Sequence, residues 1–366
     1  MATRTSRSAA LATLLTGALA GTLAATGCFG AVSGGTLGTQ DGGRDPAERP
    51  QEPSGAHPEP GQHTDKSIRL ELEPVRAPAG LGERALARAE TIVGFGPRYA
   101  SKEQGQAGWT RQLSYIEAEL EALGLTVERD TWTDRKELIT FTNLAARIPG
   151  KRKERIVLAC HHDTKCTRDH PEPQHNFEFV GANDGASAVA LLLELAPVLQ
   201  HGEPEATIEL VFLDGEESLD WAWNDAARAL FGSKRYVTRQ RDAEVLGTAA
   251  PIRAAIVLDM VGSKYLHIQD ELYSTARLRT VLWSAAVACG HEHRFFQRAE
   301  GAADDHVPFL SVGIPAVDLI DLNGNATWHT PADTLENLSA ESLQTVADVV
   351  LTMLPAVAEE YVVKAH

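Results

Sequence analysis

Basic residues are scarce in this 366-residue sequence: 34 Lys and Arg face 50 Asp and Glu, for a formal charge of -16. A surface of that sign repels phosphate backbones and polyanionic membranes, so nucleic-acid binding and a polybasic membrane contact are excluded as principal functions. Cysteine is also sparse, at four. No two pairs stand at zinc-finger spacing, so the "CHHDTKC" stretch lacks the partner a structural Cys/His site requires. If Cys28 is used elsewhere, Cys160, Cys166 and Cys289 are an odd number, leaving room for one disulfide or for free buried thiols. Neither a GxGxxG fingerprint nor a P-loop occurs, so no nucleotide cofactor is expected. There is no internal repeat.

What is present divides the chain into three. Residues 1–27 open with Arg4 and Arg7, continue as the uncharged "AALATLLTGALAGTLAAT" and close on small residues before Cys28, the pattern of a bacterial secretory leader. The ending resembles the lipobox of bacterial lipoproteins, with Ala25 where such motifs usually carry Leu. The expectation is an exported protein, periplasmic or at the cell surface, held to the membrane only through lipid on Cys28. Residues 28–66 are rich in Gly, Pro and polar side chains with little to bury, and read as a disordered tether. Residues 67–366 read as one catalytic domain.

Within that domain, apolar runs of strand length alternate with helical periodicity. The pattern predicts a single α/β domain, a mostly parallel mixed central sheet flanked by helices. "RIVLA", "TIELVFL" and "AAIVLD" are apolar nearly throughout, as central strands covered on both faces should be, and each runs straight into charged residues at its C-terminal end. Those residues are His161, His162 and Asp163, then Glu216 and Glu217, then Asp259, with Asp184 at the head of an intervening helix. In open α/β sheets that edge binds ligands. A cluster of His, Asp and Glu there matches the donor types Zn²⁺ accepts, and "TWHTPADTLENL" supplies a further His.

The motifs "HHDTK", "VGANDGASA", "FLDGEES", "FGSKRYV", "LDMVG", "ADDHVPFLSVGIPAVDLI" and "TWHTPADTLENL" occur in the order and at about the spacing of the zinc aminopeptidase superfamily. Over residues 85 to 360 the chain most resembles its glutaminyl cyclases. The resemblance implies that Asp184, Glu217 and His329 hold one zinc. It implies that Glu216 is the acid/base residue with Asp259 and Asp304 as partners, and that Trp221 and Trp328 wall the substrate pocket. The expected substrates are peptide or protein N-termini, an N-terminal Gln closing to pyroglutamate with loss of ammonia. A di-zinc aminopeptidase is the alternative, its second metal held by His161 and Asp259 with Asp184 bridging; a binding-only lipoprotein is the third reading. The interposed "SLDWAWNDAARAL" and Trp328 favour the cyclase. Two departures from animal cyclases are Asp318, which replaces their His, and "NGNA", which replaces an aromatic-containing loop. His306 is expected to support the site from behind, whereas His170 and His175 read as surface imidazoles.

Overall fold

The computed structural model describes residues 60–102 and 107–364. The leader, Cys28 and most of the tether lie outside the described residues. The tether's last residues do not: the Gly61 N–H donates to the Leu272 carbonyl (2.7 Å) and Thr64 bonds Asp270 through backbone and hydroxyl (2.7 and 2.6 Å). Docking to the domain thus begins ahead of residue 67, because Arg279 and Asp270 offer polar partners that composition cannot reveal.

Six strands form the central sheet: β1 (Val127–Thr133), β2 (Thr140–Ile148), β3 (Arg152–His161), β4 (Ala206–Leu213), β5 (Ile252–Asp259) and β8 (Ala316–Ile320). Their order is β1-β2-β4-β3-β5-β8; β4, β3, β5 and β8 run parallel, with β2 and β1 added antiparallel at one side. From β3 the chain passes to β4 on one side and then crosses to β5 on the other. That reversal opens a crevice beyond the carboxyl ends of β3, β4 and β5.

Helices α1 (Leu81–Val93), α2 (Ala107–Ala122), α3 (Ala188–His201), α5 (Ala276–Ala288) and α7 (Ala340–Ala358) contribute to one continuous core. α4 (Phe231–Val245) and α6 (His306–Ser311) pack a second cluster with Val157, Val211 and Val257. α3 is buried almost all round because it lies between the sheet and α1, which explains its unbroken apolar run. β6 (Ile268–Glu271) and β7 (Phe295–Glu300) form a separate parallel pair, which the period-2 pattern does not reveal over so few residues.

Two helix starts differ from the sequence reading. Residues 225–230 have helical composition, yet α4 begins at Phe231, since the Leu230 and Phe231 N–H groups are spent on the Glu216 and Gly215 carbonyls (3.0 and 2.8 Å). The helix expected from Gly185 becomes regular at Ala188; Asp184 (ψ 93°) and Gly185 (φ 96°) break the preceding turn.

Candidate active site

Each functional side chain is aimed by a local departure from regular structure. After β4, Gly215 adopts φ 70°, and a Cβ there would lie 2.6 Å from the Phe141 ring. Only glycine makes this turn without strain. The next two backbone N–H groups, of Glu216 and Glu217, both donate to the Asp163 carboxylate (3.2 Å each). Asp214 anchors the strand end, accepting from the Thr142 N–H (2.6 Å) and the Trp109 indole (2.9 Å).

Asp184 is fixed in the same manner. The Asp333 carboxylate accepts the Asn183 and Asp184 N–H groups (2.8 and 3.0 Å), and the buried Arg98 guanidinium donates to the Val180 and Gly181 carbonyls (2.6 and 2.8 Å). A Cβ on Gly185 would meet the Asp163 carbonyl at 2.8 Å. His329 carries φ 50°, a left-handed backbone that is costly for a non-glycine residue and is retained where surrounding structure enforces it.

Asp184, Glu217 and His329 come together: His329 Nε2 lies 3.0 Å from Glu217 Oε1 and 3.4 Å from Asp184 Oδ2. A second group shares Asp184: His161 Nε2 stands 3.3 Å from Asp184 Oδ1 and 3.0 Å from Asp259 Oδ1. All five side chains are buried, and Asp184 Oδ2 and Glu217 Oε2 make no well-aligned hydrogen bond, facing His329 Nε2 and Lys165 Nζ only at 3.4 Å each. Buried carboxylates gathered this closely with poorly aligned partners are costly without a cation among them, and two carboxylates with one imidazole form a donor set suited to a catalytic Zn²⁺. The residues therefore fit the metal.

Glu216 lies outside both groups. Burial, and then the charge of Glu217, push its carboxyl well above the ordinary glutamate range, with Asp304 and Asp305 adding to the effect. Asp259 is pushed up to about 7 by burial, with Asp304 and Asp184 adding to it against His161. Asp184 moves the other way: burial would raise it, but His161 and His329 hold it well below its usual value. His161 is itself driven well up by Asp259, Asp163 and Asp184 against the opposing effect of burial. His162 is pushed down to about 4 by burial and stays neutral, bonded to the Thr142 carbonyl (3.0 Å).

Behind these groups, Asp304, His306 and Asp318 converge, all buried. His306 Nε2 faces Glu271 Oε2 at 3.0 Å, and Nδ1 lies 3.6 Å from Asp318 Oδ2. Glu271 is saturated by N–H donors from Tyr273, Ser274 and Ala302 (3.0, 2.7 and 2.9 Å) and by the Ser274 hydroxyl (2.6 Å). Asp318 is raised well above the aspartate range by burial and by Asp304.

Two indoles flank the triad's imidazole. Trp328 stacks on His329 at 4.3 Å and Trp221 stands 5.6 Å away. Sequence reasoning missed Lys165, which is buried, donates to the Ser218 carbonyl (2.8 Å), lies 3.4 Å from Glu217 Oε2 and faces the Trp221 and Trp223 rings. It also missed the roles of Asp163, Asp333 and Arg98; the first two lie within quoted motifs but carry no periodic signal. His170 and His175 are not free surface imidazoles: both pack on Trp221, because the loop that bears them folds over the site. The three cysteines Cys160, Cys166 and Cys289 are free thiols.

With the geometry in place, comparison with known proteins is informative. The model of peptidase family M28 matches residues 143–354. A glutaminyl-peptide cyclotransferase-like protein of Mus musculus is 31% identical over 286 residues, 70% of this chain and 72% of that protein. The crystal structure of an Acidobacteriales bacterium glutaminyl cyclase superposes with a TM-score of 0.67 at 31% identity, covering 79% of this chain and 98% of that one. A leucine aminopeptidase precursor from Bacteroides thetaiotaomicron also gives 0.67, at 25% identity, covering 78% and 99%. Backbone likeness alone does not separate the two activities.

Proposed function

The chain belongs to peptidase family M28 and, within it, to the glutaminyl cyclases, and from that premise we propose that it converts the N-terminal glutamine of peptides or proteins to pyroglutamate with release of ammonia. It is a zinc-dependent enzyme. The observation that carries the reading is the division of the acidic doublet: Glu217 faces His329, itself flanked by two indoles, at 3.0 Å, while its neighbour Glu216 stays out of the metal group, buried and raised in pKa.

Asp184, Glu217 and His329 would hold one zinc, whose chemistry is to polarise the substrate's side-chain amide as a Lewis acid. The remaining work falls to the chain's own residues. Trp221 and Trp328 receive the glutaminyl side chain and exclude water. Glu216 accepts a proton from the α-amino group as that nitrogen bonds to the side-chain amide carbon. The same proton then goes to the departing nitrogen, so the carbon–nitrogen bond of the amide breaks, ammonia leaves and a five-membered lactam remains. No water is consumed. Nucleophile and electrophile belong to one molecule, so proximity is supplied by the substrate. A raised pKa makes the ionised Glu216 a stronger base, and the charges of Glu217, Asp304 and Asp305 add to that rise.

A second reading, hydrolysis of N-terminal residues with two metals, is favoured by one observation: His161 and Asp259 share Asp184 with the first group. Incubation of purified enzyme with a Gln-initiated peptide separates them. Ammonia release with chain length preserved supports the cyclase; release of the first residue supports the peptidase. From the leader and the Gly/Pro-rich stretch after it, we further propose export and anchoring through lipid on Cys28, tested by metabolic labelling with a fatty acid and loss of label in Cys28→Ser.

A further inference from the structure

The loop from Thr167 to Val180 carries two histidines outside the metal groups. His175 lies ring on ring against Trp221, with centroids 3.7 Å apart and planes within 11°. His170 meets both rings edge-on, at 5.0 Å from His175 and 5.6 Å from Trp221. The loop is itself held: the Thr167 hydroxyl donates to the Phe177 carbonyl (2.5 Å), the Asp169 N–H to Asn176 Oδ1 (3.1 Å) and the Glu172 N–H to His170 Nδ1 (3.1 Å). Pro173 opens a single tight turn that presents His175. Further along, the loop delivers Phe179 edge-on to His329 at 5.9 Å. One segment thus touches both the pocket tryptophan and the triad's imidazole.

We propose that His175 is a positioning residue: by stacking on Trp221 it fixes the plane of the pocket wall and so sets the affinity for the substrate's N-terminal side chain. Trp221 is half-buried, on a stretch without regular structure between Ser218 and Asp225, so backbone alone does not hold its indole. A nearly parallel ring contact removes the alternative rotamers. Without it, the wall would have to be ordered when substrate binds, a cost that appears in affinity rather than in chemistry. His175 acts through Trp221 and belongs to neither metal group.

This inference rests on the cyclase reading, and the test keeps the two apart. KM and kcat are measured by ammonia release from a Gln-initiated peptide for the wild type, His175→Ala and His175→Phe, with zinc content and tryptophan fluorescence of each. In His175→Ala, KM rises roughly three- to tenfold with kcat within about twofold and zinc retained, and the flat ring of His175→Phe restores KM. An unchanged KM in His175→Ala overturns the proposal, as does a fall in kcat with zinc loss, or a phenylalanine variant as impaired as alanine. A wild type that releases free glutamine instead of ammonia defeats the cyclase reading. The brace is then judged by the same pair of variants on the KM of that hydrolysis.

Discussion

Glu216 and Glu217 are adjacent in the chain yet differ in surroundings, Glu217 grouping with Asp184 and His329 while Glu216 stands apart, and the proposed function assigns metal binding to the second and proton transfer to the first. Glu216→Gln keeps the shape and removes the base. Its kcat should fall by about two to four orders of magnitude while zinc content and the circular dichroism spectrum stay unchanged. Because Glu216 must be ionised to accept a proton and its pKa is raised, the wild-type rate should fall on acidification at a pH above the ordinary glutamate value of 4.5. Behind the site, Glu271 offers a stability test. Burial would raise its carboxyl, but the His306 charge and bonds from Ser274 and Tyr273 outweigh this and bring it down to about 2. A depressed carboxylate stabilises the fold above its unfolded value of 4.5, and that contribution is lost as pH falls through about 2. His306, raised by Glu271 against burial, contributes fully below 6.5 and loses its contribution as pH rises through its higher folded value. Glu271→Gln should flatten both limbs in urea unfolding, the acid one being on the order of 3 kcal/mol.

At the scale of elements, the site is built from strand ends and the turns that leave them. The turn at residues 182–187 positions Asp184 through Asp333, Arg98 and the left-handed Gly185. Asp333→Ala removes the acceptor for two backbone N–H groups, and zinc affinity should drop about 10- to 100-fold in competition with a chelator while the sheet remains folded. The three central strands and their charged ends were legible in the sequence, because burial on both faces leaves an unbroken apolar run. The start of α4 was not: residues 225–230 have helical composition, but their backbone bonds the doublet's turn, a long-range demand that periodicity cannot encode. β6 and β7 escaped for a different reason, since four and six residues carry too little alternation to be told from loop. The aromatic role of His175 was hidden as well, because a loop histidine has no local signal of what it packs against.

For the whole molecule, one topological reversal beside β3 gathers side chains from residues 161 to 329 into a single crevice. Asp184, Glu217 and His329 could be named from motif resemblance, and the structure brings those three side chains within reach of one another, with Glu216 outside the group. Their supports, Lys165, Asp163 and Arg98, emerge only when the chain is folded. Since the metal groups tie together the ends of β3 and β5 with the turns after β4 and before α3, zinc should raise the melting temperature and chelation should lower it. The central claim is one catalytic metal held by Asp184, Glu217 and His329. Its most direct test is titration of metal-free enzyme with zinc, following ammonia release together with anomalous scattering from the crystal. One equivalent at those three side chains restoring full activity is the predicted result; activity that needs two equivalents, or a metal bound away from the triad, would contradict it.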